Sequence, residues 1–262
     1  MSHLLIVFPL KKEMSYFQEG LSQKGWQFES SSTDKLKTVQ SKIKKRSQFI
    51  KSFSDQSETK AAMPKNVSFF LNSLQTVTLA VGGHGKVQFG IQTQHFITNL
   101  ADVSSVICLG AAGSLVESLN AGDLVVAEKT VEHDYTNRFG SEDKLPEFFG
   151  HPEFLLRAKE ICKEFPFKIH LGSVASGDED IVDPHRASEL YLKTKADAVA
   201  WEGAGGARAS AFHKIPFMEL RAITDNARHS VAESFAKNLQ MCMHNASDFI
   251  HKMVSADSMP FT

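Results

Sequence analysis

The strongest constraint on how this chain folds is a recurring alternation. A short apolar run ends in glycine or a small polar cluster, and a stretch with helical spacing follows. Residues 4–8 (LLIVF) form an unbroken apolar run with a β-branched centre, which suits a strand buried on both faces. Pro9 stops it, and 11–24 then place Met14, Phe17 and Leu21 on one helical face. Residues 76–81 read as a strand closing on Gly82-Gly83-His84-Gly85. A helix over 86–100 follows, with Val87, Ile91, His95 and Phe96 along one side. Residues 103–109 are another apolar strand, closed by Gly110-Ala111-Ala112-Gly113. Strands at 124–127, 171–175, 198–201 and 217–224 continue the pattern, with helices at 152–165 and from Pro184, where Asp183 is the expected cap. The helix at 203–212 (GAGGARASAF) carries three glycines, each costing about 1 kcal/mol relative to alanine, so it calls for close backbone approach to a neighbouring layer. Ser230 and Glu233 form a capping-box pattern, and the stripe Val231, Phe235, Leu239, Cys242, Ala246, Phe249 and Met253 marks the core-facing side of the last helix. Alternating strands and helices predict an α/β fold with a mostly parallel or mixed sheet covered on both faces.

Composition narrows the function classes. The 262 residues fit one large domain or two small ones. Residues 28–72 stand apart as rich in Ser, Lys and Gln, with a basic run at 42–46 (KIKKR), and read as an inserted polar helix or a mobile lid. Lys plus Arg total 29 against 30 for Asp plus Glu, a net charge of -1, so binding to a nucleic-acid backbone is not expected. Cys108, Cys162 and Cys242 are odd in number and widely spaced, which argues for a reducing compartment and against a disulfide framework. Their spacing with histidine offers no zinc site, and no cofactor is implied. The longest early apolar run, 4–10, is far below the roughly 20 residues a spanning helix needs and has no basic leader, so a cytoplasmic, membrane-free protein is expected.

In sheets of this kind ligands bind beyond the carboxyl ends of strands. Several strand ends here carry chemistry, though a glycine after a strand is ordinarily turn chemistry and a lone acid there ordinarily a helix cap. Their order is more specific: GGHGKV at 82–87, LGAAGSL at 109–115, AGDLVV at 121–126, EHDYT at 132–136, VASGDEDI at 174–181, AVAWEGAG at 198–205 and RAITDNA at 221–227. With these segments the chain resembles the nucleoside phosphorylase and nucleosidase superfamily, most of all its methylthioadenosine/S-adenosylhomocysteine nucleosidase branch. The resemblance covers nearly everything outside 28–72. It implies a single three-layer α/β/α domain around a mixed sheet over 1–262, a purine nucleoside substrate and a homodimer.

The resemblance also implies roles. Asp225 matches the general acid that protonates the departing purine, with Thr224 and Asn226 placed to orient it. Glu202 matches the carboxylate that accepts hydrogen bonds from the ribose hydroxyls. Arg221, four residues before Asp225, is placed to pair with a nearby acidic group and reads as structural support. Glu13 aligns with the acid that activates water. Lys11 and Lys12 stand beside it where the hydrolases carry further acids, and they keep phosphorolysis open as an alternative. Ile181, Ala112 and Gly113 belong to the implied substrate-binding set. The chain departs from the family pattern at four places around the ligand. Asp180 stands where an aromatic residue stacks on the base, Ala200 where a glutamate is usual, Trp201 where a methionine is usual and Gly82 where a serine helps hold the sugar. Trp201 could supply the missing π surface. These departures leave open a futalosine-type hydrolase, or a nucleoside-binding protein that has lost catalysis. His133, in the EHDYT segment, reads as structural.

Overall fold

The structure, a computed structural model, describes residues 2–30, 67–71, 75–137, 139 and 144–254. One ten-stranded mixed sheet organises it. The strands are β1 (Ser2–Phe8), β2 (Glu29–Ser30), β3 (Val67–Leu71), β4 (Gln75–Val81), β5 (Ser105–Ser114), β6 (Leu124–Glu132), β7 (Glu147–Phe149), β8 (Ile169–Ser176), β9 (Ala198–Ala200) and β10 (Phe217–Asp225). The helices are α1 (Lys11–Ser22), α2 (Lys86–Asn99), α3 (Pro152–Ile161), α4 (Pro184–Thr194), α5 (Gly203–His213) and α6 (Val231–Val254). The expected α/β class and mixed sheet are therefore present.

β1 lies at the centre, parallel to both β4 and β5. Its alternation explains its apolar run: Leu4, Ile6 and Phe8 pack under α1, α3 and α6, while Leu5 and Val7 pack under α2 and α5. Past β5 the sheet closes on itself. β10 pairs with both β5 and β6, β6 with β8, β8 with β9, and β9 returns to β5. This ring gathers residues that follow β8, β9 and β10 beside those that follow β1 and β4. β2 and β3 extend the other edge beyond β4. They are the described part of the segment expected to be an insert; its basic run at 42–46 lies outside the described residues.

Several sequence expectations shift in detail. Gly110-Ala111-Ala112-Gly113 does not close β5 but forms its second half, because this small-sided stretch pairs with β10 while leaving room for side chains above it. On α2 the buried face is Phe89, Thr93, Phe96 and Ile97, so Val87 and Ile91 point outward at 71% and 65% exposure. On α6 the expected stripe is buried from Leu239 onward. Ser230 has φ near +50°, away from the extended backbone of a capping serine. Asp183 does cap α4, accepting from the N–H groups of His185 and Arg186 at 2.7 and 2.9 Å. Of the three α5 glycines, Gly205 meets the backbone approach anticipated for them, since a Cβ there would stand 2.2 Å from the Lys86 carbonyl oxygen, whereas Gly203 and Gly206 face the side chains of Glu219 and Phe89. Among the described residues no helix is long and apolar enough to cross a membrane.

Candidate active site

A cavity of about 640 Å3, its open mouth included, lies where the residues following these strands converge. Glu13, Ala112, Gly113, Asp180, Ile181, Trp201, Glu202, Thr224 and Asp225 all line it. Gly82, expected to hold the sugar, does not. A Cβ there would lie 2.6 Å from Phe89 and 2.7 Å from Val7, so packing beneath the loop requires glycine at this position.

Glu13 occupies the first turn of α1 and is 2% exposed. Its Oε2 accepts from the Leu10 N–H, the first-turn arrangement of a capping box, and its Oε1 accepts from the Ala111 N–H, both at 2.8 Å. Burial pushes its carboxyl up to about 7, helped by the charge of Glu202. The two N–H groups and Arg221 oppose that rise.

Glu202 follows β9 and is 3% exposed. Its Oε1 faces His84 Nδ1 at 3.3 Å and the Gly85 N–H at 3.4 Å, and its Oε2 accepts from Arg221 Nη2 at 3.3 Å. Burial alone would raise its pKa, but the hydrogen bond from His84 and the charges of Arg221 and His84 outweigh burial and hold it below the usual glutamate range. Arg221 is fully buried and pairs through Nε with Glu219 at 2.7 Å. Glu219 also accepts from the Thr130 hydroxyl. A Cβ on Gly110 would lie 2.8 Å from Arg221 Nη1 and 3.1 Å from Glu13 Oε1, which explains a glycine inside β5.

Asp225 ends β10 at a register shift between Ile223 and Asp225, an irregularity of the kind that re-aims a side chain. Its Oδ1 accepts from the Ala227 N–H and its Oδ2 from the Thr224 hydroxyl, each at 2.8 Å. Burial raises its pKa against both bonds. A Cβ on Gly113 would stand 2.8 Å from Oδ1, so that glycine keeps the carboxyl in place. Asn226 does not orient Asp225. It turns back on its own loop, its Oδ1 accepting from the N–H groups of Arg228 and His229.

The apolar walls are Ile181, Val199, Val231 and Phe235, the last two being the first members of the α6 stripe. Asp180 is exposed at the mouth. Lys11 and Lys12 are exposed and outside the lining, with Lys12 over the Tyr16 ring. His133 is buried beneath Gly177, whose Cβ would collide with its ring.

The residue to which the sequence reading gave no role is His84. It lines the cavity and stacks on Trp201, with ring centroids 4.0 Å apart and planes 27° apart. One face of the Trp201 indole is therefore taken by protein, which removes that face as a stacking surface for a base. The only available signal was a histidine between two glycines in GGHGKV.

The chain is similar to known proteins along most of its length. It is 32% identical over 184 residues to an aminodeoxyfutalosine nucleosidase of Helicobacter pylori, covering 68% of this chain and 80% of that protein. It is 30% identical over 203 residues to a 5′-methylthioadenosine/S-adenosylhomocysteine nucleosidase of Anoxybacillus flavithermus, covering 72% and 86%. Its fold matches the crystal structure of a Helicobacter pylori 5′-methylthioadenosine/S-adenosylhomocysteine nucleosidase with a TM-score of 0.77, at 23% identity and 97% coverage of both chains. The family model of the phosphorylase superfamily matches residues 44–255, and the chain belongs to that superfamily.

Proposed function

We propose that this protein hydrolyses the N-glycosidic bond of a purine nucleoside of the methylthioadenosine, S-adenosylhomocysteine or aminodeoxyfutalosine kind. The observation that carries the reading is the convergence of Glu13, Glu202 and Asp225 on one cavity, with Glu202 held below the usual carboxylate range and Glu13 and Asp225 pushed above it by burial. Asp225 gives a proton to N7 of the purine as the C1′–N9 bond breaks and its electron pair passes to the base, and burial shifts it toward the protonated form that this step needs. Glu202, held ionised, accepts from the ribose hydroxyls and steadies the positive charge growing on the sugar. Glu13, near 7, takes the proton of the water that bonds to C1′. The products are the free base and a ribose derivative, with Asp225 deprotonated and Glu13 protonated.

Water rather than phosphate is the nucleophile in this reading. The cationic side chains lining the cavity are His84 and Arg221, and both already face Glu202. A second copy of the chain is the proposed partner, through the outward apolar residues Val87, Ile91 and Phe212 on α2 and α5. Three free cysteines suit a cytoplasmic setting. A panel of nucleosides assayed for free-base release, with and without phosphate, tests the reaction. Release that is independent of phosphate is expected. Release of ribose 1-phosphate only when phosphate is present would identify a phosphorylase, and ligand binding without any release would identify a binding protein.

A further inference from the structure

We propose that His84 is a positioning residue for Glu202: stacked on Trp201 and bonded to Oε1, it fixes the carboxylate that accepts the sugar hydroxyls, and so sets the preference for ribosyl over deoxyribosyl ligands. The proposal deepens the nucleosidase reading and rests on it for the ligand.

Glu202 is held by several long contacts rather than one short one. His84 Nδ1 and the Gly85 N–H meet Oε1 at 3.3 and 3.4 Å, and Arg221 Nη2 meets Oε2 at 3.3 Å. Arg221 cannot follow a moving carboxylate, because its Nε is bonded to buried Glu219 at 2.7 Å. The Gly85 N–H is fixed by the backbone. His84 is therefore the adjustable member of the set, and it is itself held in two ways. Gly83 and Gly85 both have φ near +87°, a conformation that suits glycine, and they set the intervening histidine over the cavity. The Trp201 ring then supports the imidazole from one side at 4.0 Å. Trp201 and Glu202 are adjacent in the chain, so the stack and the hydrogen bond fix one local unit.

The groups facing His84 are carboxylates from separate elements: Glu202 after β9, Asp180 after β8 and Glu13 on α1. The hydrogen bond to Glu202 is the largest influence on the imidazole and raises its pKa, with burial opposing. Its charged form, which holds Glu202 most firmly, is populated at low pH and lost as pH rises through that raised value.

The test measures binding of a C-nucleoside analogue of adenosine, whose carbon–carbon glycosidic bond cannot be hydrolysed, against its 2′,3′-dideoxy form. The wild type should favour the dihydroxy ligand, and the ratio of dissociation constants should shrink as pH rises. His84→Ala should lower the ratio about tenfold while leaving the melting temperature near that of the wild type, since the residue is half exposed. His84→Asn keeps a donor without the charge, so it should hold the ratio and abolish its pH dependence. Trp201→Leu should lower the ratio as His84→Ala does, and Trp201→Phe should largely keep it. A wild type that binds both ligands equally, a His84→Ala variant with the wild-type ratio, or a pH dependence surviving in His84→Asn would each overturn the proposal. Absence of base release from ordinary nucleosides would instead sink the glycosidase reading, because these binding ratios do not depend on turnover.

Discussion

At the scale of single residues, the site works by placing like groups in unlike surroundings. Glu13 and Glu202 are both buried glutamates, yet one is pushed up to about 7 and the other is held down. The difference is where the cation sits. Arg221 and His84 bond directly to Glu202, whereas Glu13 has only two backbone N–H groups and feels the charge of Glu202. The pH profile follows in sign. Glu13 must be ionised to take a proton from water, so base release should rise as pH increases through about 7. Asp225 must be protonated to donate, so its titration acts in the opposite sense, suppressing release as it ionises, and burial moves that suppression to higher pH. Glu13→Gln should cost about a hundredfold or more in kcat and remove the acid limb, as followed by base release across pH. A variant retaining that limb would assign it to another group. That Asp225, Glu202 and Glu13 share one site was readable from motif order. The His84 contact was not, because it joins the turn after β4 to the residue after β9, a pairing that only the closed sheet creates.

At the scale of elements, glycine placement decides how closely the parts approach. Gly205 at the start of α5 lets that helix rest on α2, where a Cβ would fall 2.2 Å from the Lys86 carbonyl oxygen. Gly205→Ala must push a backbone apart rather than a flexible side chain. It should therefore cost about 1–3 kcal/mol and lower the melting temperature by several degrees in a thermal scan. An unchanged melting temperature would mean that the two helices have slack between them. The strands were mostly legible from their apolar runs, since β1 and β5 are buried on both faces. The helical face of α2 was not, because its buried set includes Thr93 while Val87 and Ile91 point outward. Hydrophobic spacing identifies an element's core face only when its apolar residues are all spent on that core.

At the scale of the whole molecule, the same outward residues become informative. Val87, Ile91 and Phe212 are 71%, 65% and 80% exposed, and with Gly90 and Ala209 they border an apolar groove beside the Lys86–Glu132–Arg208 ion pairs. Pairing with a second copy would bury them. Sedimentation should give a dimer for the wild type and a shift toward monomer for Phe212→Glu; a monomeric wild type would contradict the pairing. The larger feature is the closure of β5, β10, β6, β8 and β9, which was not foreseeable because each strand pairs with partners distant in sequence. Closure brings Asp225 into the cavity that α1 supplies with Glu13, and the central claim depends on that meeting. Its most direct test is Asp225→Asn, with nucleoside binding and free-base release measured on the same preparation. The account predicts binding close to wild type and release reduced by a factor of at least a hundred. Release at the wild-type rate would show that the proton reaches the base by another route.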